Sequence, residues 1–178
     1  MMRPEGKPMR IPIQTLDASV AGVGLKPGTF RDQLWEGVTL VVFLRFFGCI
    51  FCRETIADLR KLAEEREGFP RVLFVAEAGT VETRAFLRRY WPAARSVSDP
   101  HGVLYDAFGV GRGFLKTFGI GVFVARRRAT AKGHEGGEVD GDVLRMPGVF
   151  LMRAEEVVWS HRFRHMADHP DFADLPTL

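Results

Sequence analysis

Cys49 and Cys52 are the only two cysteines of the chain, spaced as Cys-X-X-Cys within FLRFFGCIFCRE, residues 43–54. The thiolate, not the thiol, is the nucleophile and the metal ligand, so the chemistry turns on what lowers a thiol's pKa. An apolar run precedes the pair and a helical pattern follows it. Cys49 is therefore expected at a helix N-terminus, where unpaired backbone N–H groups and the positive end of the helix dipole favour the thiolate. Arg45 and Arg53 flank the pair and would lower the Cys49 pKa further with their guanidinium groups turned toward the sulfur. Cys52 lies one turn along, in phase with Ile56, Leu59 and Ala63 on one helix face, and is expected to be the more buried of the two. This asymmetry assigns Cys49 as the exposed attacking nucleophile and Cys52 as the resolving thiol that closes an intramolecular disulfide.

The same pair could instead be half of a zinc site, or two inert core thiols. Zinc needs two more ligands, and His161, His165 and His169 are the candidates. Their spacing of four residues serves a continuous helix, whereas Val157 to Phe163 reads as strand, so each reads as an exposed polar position. His101 and Asp99 could assist proton transfer, but Asp99 is better explained as a helix cap. Gly109, Gly111 and Gly113 follow a helix and lack the strand-turn-helix setting of a dinucleotide fingerprint, so they read as a flexible turn.

The elements that must position the cysteines follow from periodicity. Val38 to Phe46 is continuously apolar and β-branched, the pattern of a central strand covered on both faces. The helix after Cys49 closes at Gly68 and Pro70. RVLFVA, residues 71–76, is a second buried strand, and Thr80 can cap a helix running to about Tyr90, stopped by Trp91 and Pro92. A short strand at Ser96 to Ser98 leads to Asp99 and Pro100, suited to the cap and first position of a helix in HGVLYDAFG. FLKTFGIGVFVARRR reads as helix despite its glycines, and HEGGEVDGD, residues 134–142, as a polar loop. PGVFLM and EEVVWSHRF form an antiparallel hairpin turning near Ala154, and MADHPDFADL holds a short final helix. The βαβαβα alternation predicts an α/β layer architecture with parallel strands. Residues 1–30, rich in Pro and Gly, read as an N-terminal extension with a short strand around Ile11 to Leu16, and residues 31–178 as the domain.

A chain of 178 residues is long enough for one domain with a full core and short for two. With 46% hydrophobic and 26% charged residues it has the composition of a globular protein. Net charge is only +3, from 25 Lys and Arg against 22 Asp and Glu, and the one dense basic run, Arg126 to Arg128, suits a solvated last helical turn. Neither feature argues for nucleic acid as a partner. MMRPEGKPMR leads into no apolar core of the kind a secretory signal needs, and the longest apolar stretch is interrupted by Arg45. The expectation is a cytoplasmic chain without a membrane span, in which Cys-X-X-Cys points to redox chemistry or metal.

Cys-X-X-Cys at a strand-helix junction, a further βα unit and a late proline before a hairpin resemble the thioredoxin-like superfold. VVFLRFFGCIFCRE, YDAFGV, GDVLRMPGVFLM and HRFRHMADHPD, between about residues 38 and 175, resemble the peroxiredoxin-like family related to alkyl hydroperoxide reductase and thiol-specific antioxidant proteins, specifically its SelL and selenoprotein U branch. The resemblance implies a central mixed β-sheet flanked by helices, with peroxiredoxin-like insertions. It puts Cys49 and Cys52 at the positions of the redox-active pair and makes Pro147 a cis-proline whose loop lies beside the active sulfur, with the Met146 backbone offered to substrate. It further implies no bound cofactor, a peroxide or protein disulfide as substrate, an external thioredoxin- or glutathione-like thiol reductant, and a homodimer as a state such proteins often adopt. A prostaglandin-related endoperoxide reductase is a relative in the same broad family, although nothing in the sequence singles out a lipid substrate. A non-catalytic or zinc-binding module acting through partner contacts is the reading from a different class. Two departures stand out. Typical peroxiredoxins carry a Pro and a Thr or Ser where this chain has Val42 and Phe46, so a fast peroxidase mechanism is not carried over. Typical thioredoxins have Gly-Pro where it has Ile50 and Phe51, and Cys-X-X-Cys potentials spread over about −120 to −270 mV, so no potential is carried over either.

Overall fold

The computed structural model describes residues 9–113, 120–139, 141–161 and 163–176. Seven strands form one sheet in the order β1-β7-β6-β3-β4-β5-β2. At its centre lies β3 (Val38–Phe43), with β4 (Arg71–Ala76) and β5 (Arg95–Ser98) following in parallel. The crossovers between them carry α3 (Ile50–Glu65) and α4 (Thr80–Tyr90). On the other side of β3 stands the antiparallel hairpin of β6 (Gly148–Arg153) and β7 (Glu156–Ser160), which turns at Ala154 with φ 50°. The edge strands are β1 (Met9–Arg10), antiparallel to β7, and β2 (Ala21–Val23), antiparallel to β5. This is the mixed, helix-flanked sheet expected from the sequence.

Side chains alternate between the two faces of the sheet, as period 2 requires. Leu40, Val42, Phe74, Ala76, Val149 and Leu151 pack beneath α3, α4 and α6 (Ile120–Ala131). Val41, Phe43, Leu73, Val75, Phe150 and Met152 pack beneath α1 (Ile13–Leu16), α2 (Phe30–Gln33) and α5 (Val103–Ala107). Because both faces of β3 are covered, its sequence is apolar throughout instead of alternating.

Several elements differ from expectation, each for a local reason. The strand expected around Ile11 to Leu16 is helix α1, because Pro12 opens a turn whose carbonyl accepts from Thr15 N and Leu16 N at 2.9 and 3.1 Å. β3 ends at Phe43 and not Phe46, since Arg45 N donates to Cys52 Sγ at 3.3 Å and so leaves the ladder. Gly79, not Thr80, is the N-cap of α4, and Thr80 Oγ1 pairs with Ser98 Oγ at 3.2 Å. The helix expected from Asp99 begins at Val103, after Gly102 at φ 70°, a left-handed conformation that glycine adopts without strain. Asp99 still caps it from a distance, accepting from Val103, Leu104 and Tyr105 N–H at 3.0, 2.7 and 3.2 Å. Only Ile120–Ala131 of the ambiguous glycine-rich region is assigned as helix, with residues 114–119 outside the described residues. Within it Arg128 is paired with Glu54, not merely solvated. The final helix is a 3₁₀ turn, Phe172–Asp174.

Candidate active site

Cys49 is the N-cap residue of α3, with φ −72° and ψ 117° and no side-chain capping bond. Its sulfur therefore sits where the first-turn amides and the helix dipole favour negative charge. Arg45, the fourth residue before it, reaches back: Nη1 donates to Cys49 Sγ at 3.4 Å. The guanidinium is locked in that pose, because Nε donates to Arg145 O at 2.6 Å and Nη2 to Val143 O. A buried cation with each arm on an acceptor is a fixed charge, worth more here than in water.

The two thiols act on each other, and their pKa values move apart. Cys49 is lowered, first by the hydrogen bond it accepts from Cys52 and then, against the cost of burial, by the charge and hydrogen bond of Arg45. Cys52 is pushed up by the same hydrogen bond to Cys49 and by burial. One thiolate and one thiol are thus held side by side, and both cysteines are free thiols.

Three expectations about this corner need correction. Cys49 is not exposed: both cysteines are 4% exposed. The polar stretch after α6 folds back over the site, with Gly137 N donating to Gly48 O at 2.9 Å. Gly48 makes the approach possible, since a Cβ there would overlap the Glu138 carbonyl. Arg53 does not face the sulfur. Its Nε donates to Phe47 O at 3.1 Å and its Nη1 to Glu135 O at 2.5 Å, so it ties the covering loop down. Finally, Pro147 is trans, no peptide bond among the described residues being cis, which is the isomer favoured by about 0.5–1 kcal/mol for any X-Pro bond. Met146 N is already committed to Gly111 O at 3.0 Å. Pro147 nonetheless lies beside the site, because it shares the wall of a small cavity with Cys52. It also lines a cleft of about 530 Å³, together with Met146, Trp159 and His161. That cleft contains neither cysteine.

Two groups have places that the sequence reading did not assign to them. Arg145 is 3% exposed, paired with Glu77 through Nε at 2.9 Å and through Nη2, and its guanidinium stacks 4.8 Å from the Tyr105 ring centroid. Tyr105 donates its hydroxyl to Leu44 O and Val75 O, at the ends of β3 and β4. This network holds the carbonyl that anchors Arg45, and no local signal announces it, since Glu77 and Arg145 are 68 residues apart. The second group is His169, read from the sequence as an exposed polar position, which is half-buried and shares the wall of the same small cavity with Cys52. The other two zinc candidates are engaged elsewhere: His161 Nε2 contacts Asp168 O at 2.6 Å, and His165 Nδ1 accepts from Ala167 N at 3.3 Å. Among the described residues no group of three or more His, Cys, Asp or Glu could hold a metal ion. Asp99 is spent on capping.

The sequence profile of AhpC/TSA antioxidant enzymes matches residues 50–165, about two thirds of the chain. The chain belongs to the AhpC/TSA antioxidant enzyme family. Peroxiredoxin-like 2A of Xenopus tropicalis is 27% identical over 158 residues, covering 85% of this chain and 68% of that protein. Among solved structures, Xanthomonas campestris Peroxiredoxin Q superposes with a TM-score of 0.64 at 18% identity, covering 89% of this chain and 88% of its own. A Xylella fastidiosa PrxQ mutant superposes with a TM-score of 0.64 at 15% identity, covering 93% and 89%. At such identities the likeness establishes the fold, which is the thioredoxin-like fold of the peroxiredoxins. No helix among the described residues of this family member is long and apolar enough to cross a membrane.

Proposed function

We propose that this protein is a thiol-dependent peroxidase in which Cys49 is the attacking nucleophile and Cys52 the resolving thiol. The Cys49 thiolate attacks one oxygen of a small peroxide ROOH. The O–O bond breaks, Cys49 becomes a sulfenic acid, and RO⁻ leaves as ROH after taking a proton. Cys52 then attacks the Cys49 sulfur, the S–O bond breaks, and the disulfide forms with release of water. An external thioredoxin- or glutathione-like dithiol restores the pair.

The observation that carries this reading is the Arg45 guanidinium on Cys49 Sγ at 3.4 Å, at the N-terminus of a helix and beside a second thiol held protonated. A nucleophile and its resolving partner need that division of charge. A peroxide, not a protein disulfide, is favoured as substrate because each cysteine is only 4% exposed, and a small molecule needs a smaller opening. In the position of the usual threonine stands Phe46, and the donor offered to the peroxide is Arg45. In this reading residues 31–178 form the catalytic domain and residues 1–30 an extension supplying edge strands, the compartment is a reducing one such as the cytoplasm, and any homodimer leaves the site on one chain.

Stopped-flow mixing of fully reduced protein with hydrogen peroxide, followed by tryptophan fluorescence, tests the reading. Cys49→Ser is expected to abolish peroxide consumption, and Cys52→Ser to stop after one equivalent with Cys49 trapped as sulfenic acid. Turnover that survives in Cys49→Ser sinks the role assignment.

A further inference from the structure

Against Cys52 lies a small cavity with a free volume of about 10 Å³, walled by Arg45, Phe51, Thr55, Pro147 and Phe163 and, across from α3, by His169. That is the scale of a single water. His169 Nδ1 shares a hydrogen bond with Thr55 Oγ1 at 3.1 Å, and Thr55 is one helical turn beyond Cys52. The other ring nitrogen, Nε2, is sealed from solvent and has no partner among the described residues, although the residue as a whole is half-buried. An unpaired buried polar nitrogen costs about 1–3 kcal/mol, so a histidine left in this state beside a thiol calls for a reason.

We propose that His169 accepts the proton of Cys52 as the disulfide closes, through one water held in the cavity. The proposal rests on the peroxidase reading above and deepens its second step. With Nδ1–H donating to Thr55, Nε2 carries the lone pair. The Cys52 S–H gives its proton to the bridging water, which passes one to Nε2. The Cys52 electron pair attacks Cys49 sulfur, the Cys49 S–O bond breaks, and the leaving hydroxide takes up the proton from His169 to end as water. Thiol plus sulfenic acid give disulfide plus water, and His169 is returned neutral.

In the reduced pair Cys52 is held as the thiol by its hydrogen bond to Cys49 and by burial, and a thiol needs a base before it attacks; burial keeps His169 neutral at pH 7 by lowering its pKa to about 4. The titratable and charged groups around it are Glu54 of α3, Arg128 of α6, His161 just past β7 and Asp168 of its own segment, with opposing effects. Arg45 stands across the cavity. Asp58, Lys61, Glu65, Lys132 and Asp171 line the outer pocket whose wall His169 shares.

The test separates the two steps in a single turnover. Reduced protein is mixed with one equivalent of hydrogen peroxide, sulfenic acid is trapped with a dimedone-type probe, and disulfide formation is quenched and measured from pH 4 to 9. In the parent, closure should be flat through neutral pH and fall only as pH drops toward about 4, where His169 is protonated. His169→Gln, which keeps a partner for Thr55 but cannot take the proton, should oxidise Cys49 at the parental rate yet close about 100-fold more slowly at pH 7, the lower range of general-base effects. Its closure should rise about tenfold per pH unit and converge on the parent in alkali. Parental closure that itself climbs through the thiol range overturns the proposal, even should the variant fail to fold. A folded His169→Gln that closes at the parental rate overturns it too, leaving the peroxidase reading standing, whereas a parent that forms no Cys49–Cys52 disulfide overturns both.

Discussion

Replacing Arg45 by Met removes the one fixed charge on Cys49 while keeping most of the stem volume. Two unit charges 3.4 Å apart interact by about 5 kcal/mol at an effective dielectric constant of about 20. The guanidinium charge is spread over three nitrogens, two of which face carbonyl oxygens, so about 2 kcal/mol is a fair share for the sulfur. At 1.36 kcal/mol per pH unit, the Cys49 pKa should rise by about 1.5 units. The sign is unambiguous: Arg45 favours the thiolate, so its loss leaves less thiolate at neutral pH and moves reactivity to higher pH. Part of the depression should survive, because the hydrogen bond from Cys52 is its largest cause. The carbonyls of Val143 and Arg145 also lose their donor, and each such loss costs about 1–3 kcal/mol of stability, so the melting temperature is recorded alongside. The assay is the rate of iodoacetamide modification against pH, with the modified cysteine located by mass spectrometry. The peroxide reaction is measured over the same range. An unchanged midpoint in a folded Arg45→Met protein would refute the assignment of Arg45 as the activating charge.

Two further perturbations probe the surroundings. Gly48→Ala puts a methyl group into the Glu138 carbonyl; it should lift the covering loop, raise proteolytic cleavage within residues 134–139 and speed alkylation of Cys49, and an unaltered alkylation rate would show that this loop does not limit access. Glu54→Gln weakens the pairing of a 2% exposed carboxylate with Arg128, whose two contacts are both 2.9 Å, and with Lys132. It should cost about 2 kcal/mol, or about 4–8 °C in melting temperature. Burial alone would raise the Glu54 pKa, but the bonds from Arg128 and Lys132 leave it lowered. Its stabilising contribution is therefore present above the unfolded carboxylate pKa and lost as pH falls through the folded value, so the gap between variant and parent should close in acid.

Local periodicity carries much of this molecule. RVLFVA is a strand over all six of its residues, and the helix expected to follow a Thr80 cap begins at Thr80 itself and ends at Tyr90 as expected. The Ala154 turn stands where the polar break in the hairpin pattern puts it. The corner between an apolar run and an amphipathic helix is equally local, so Cys49 at an N-cap and Cys52 within the first turn could be read from types and spacing alone. Backbone propensity and the burial of one face act over a few residues, which is the range that sequence patterns report.

What lay beyond that range was the direction of long side chains and the path of the loops. Arg45 and Arg53 stand four residues before and four residues after Cys49 in sequence, yet one turns to the sulfur and the other to a loop carbonyl, Glu135 O, 82 residues further on. His169 reaches Thr55 across 114 residues, and Arg45 is anchored by the carbonyl of Arg145, 100 residues away. The sequence by itself determined which residues could ionise and which faces had to be buried. Tertiary structure alone decided which charge met which sulfur, because those pairings depend on how distant segments pack once the sheet is complete, and no periodicity encodes a contact between them.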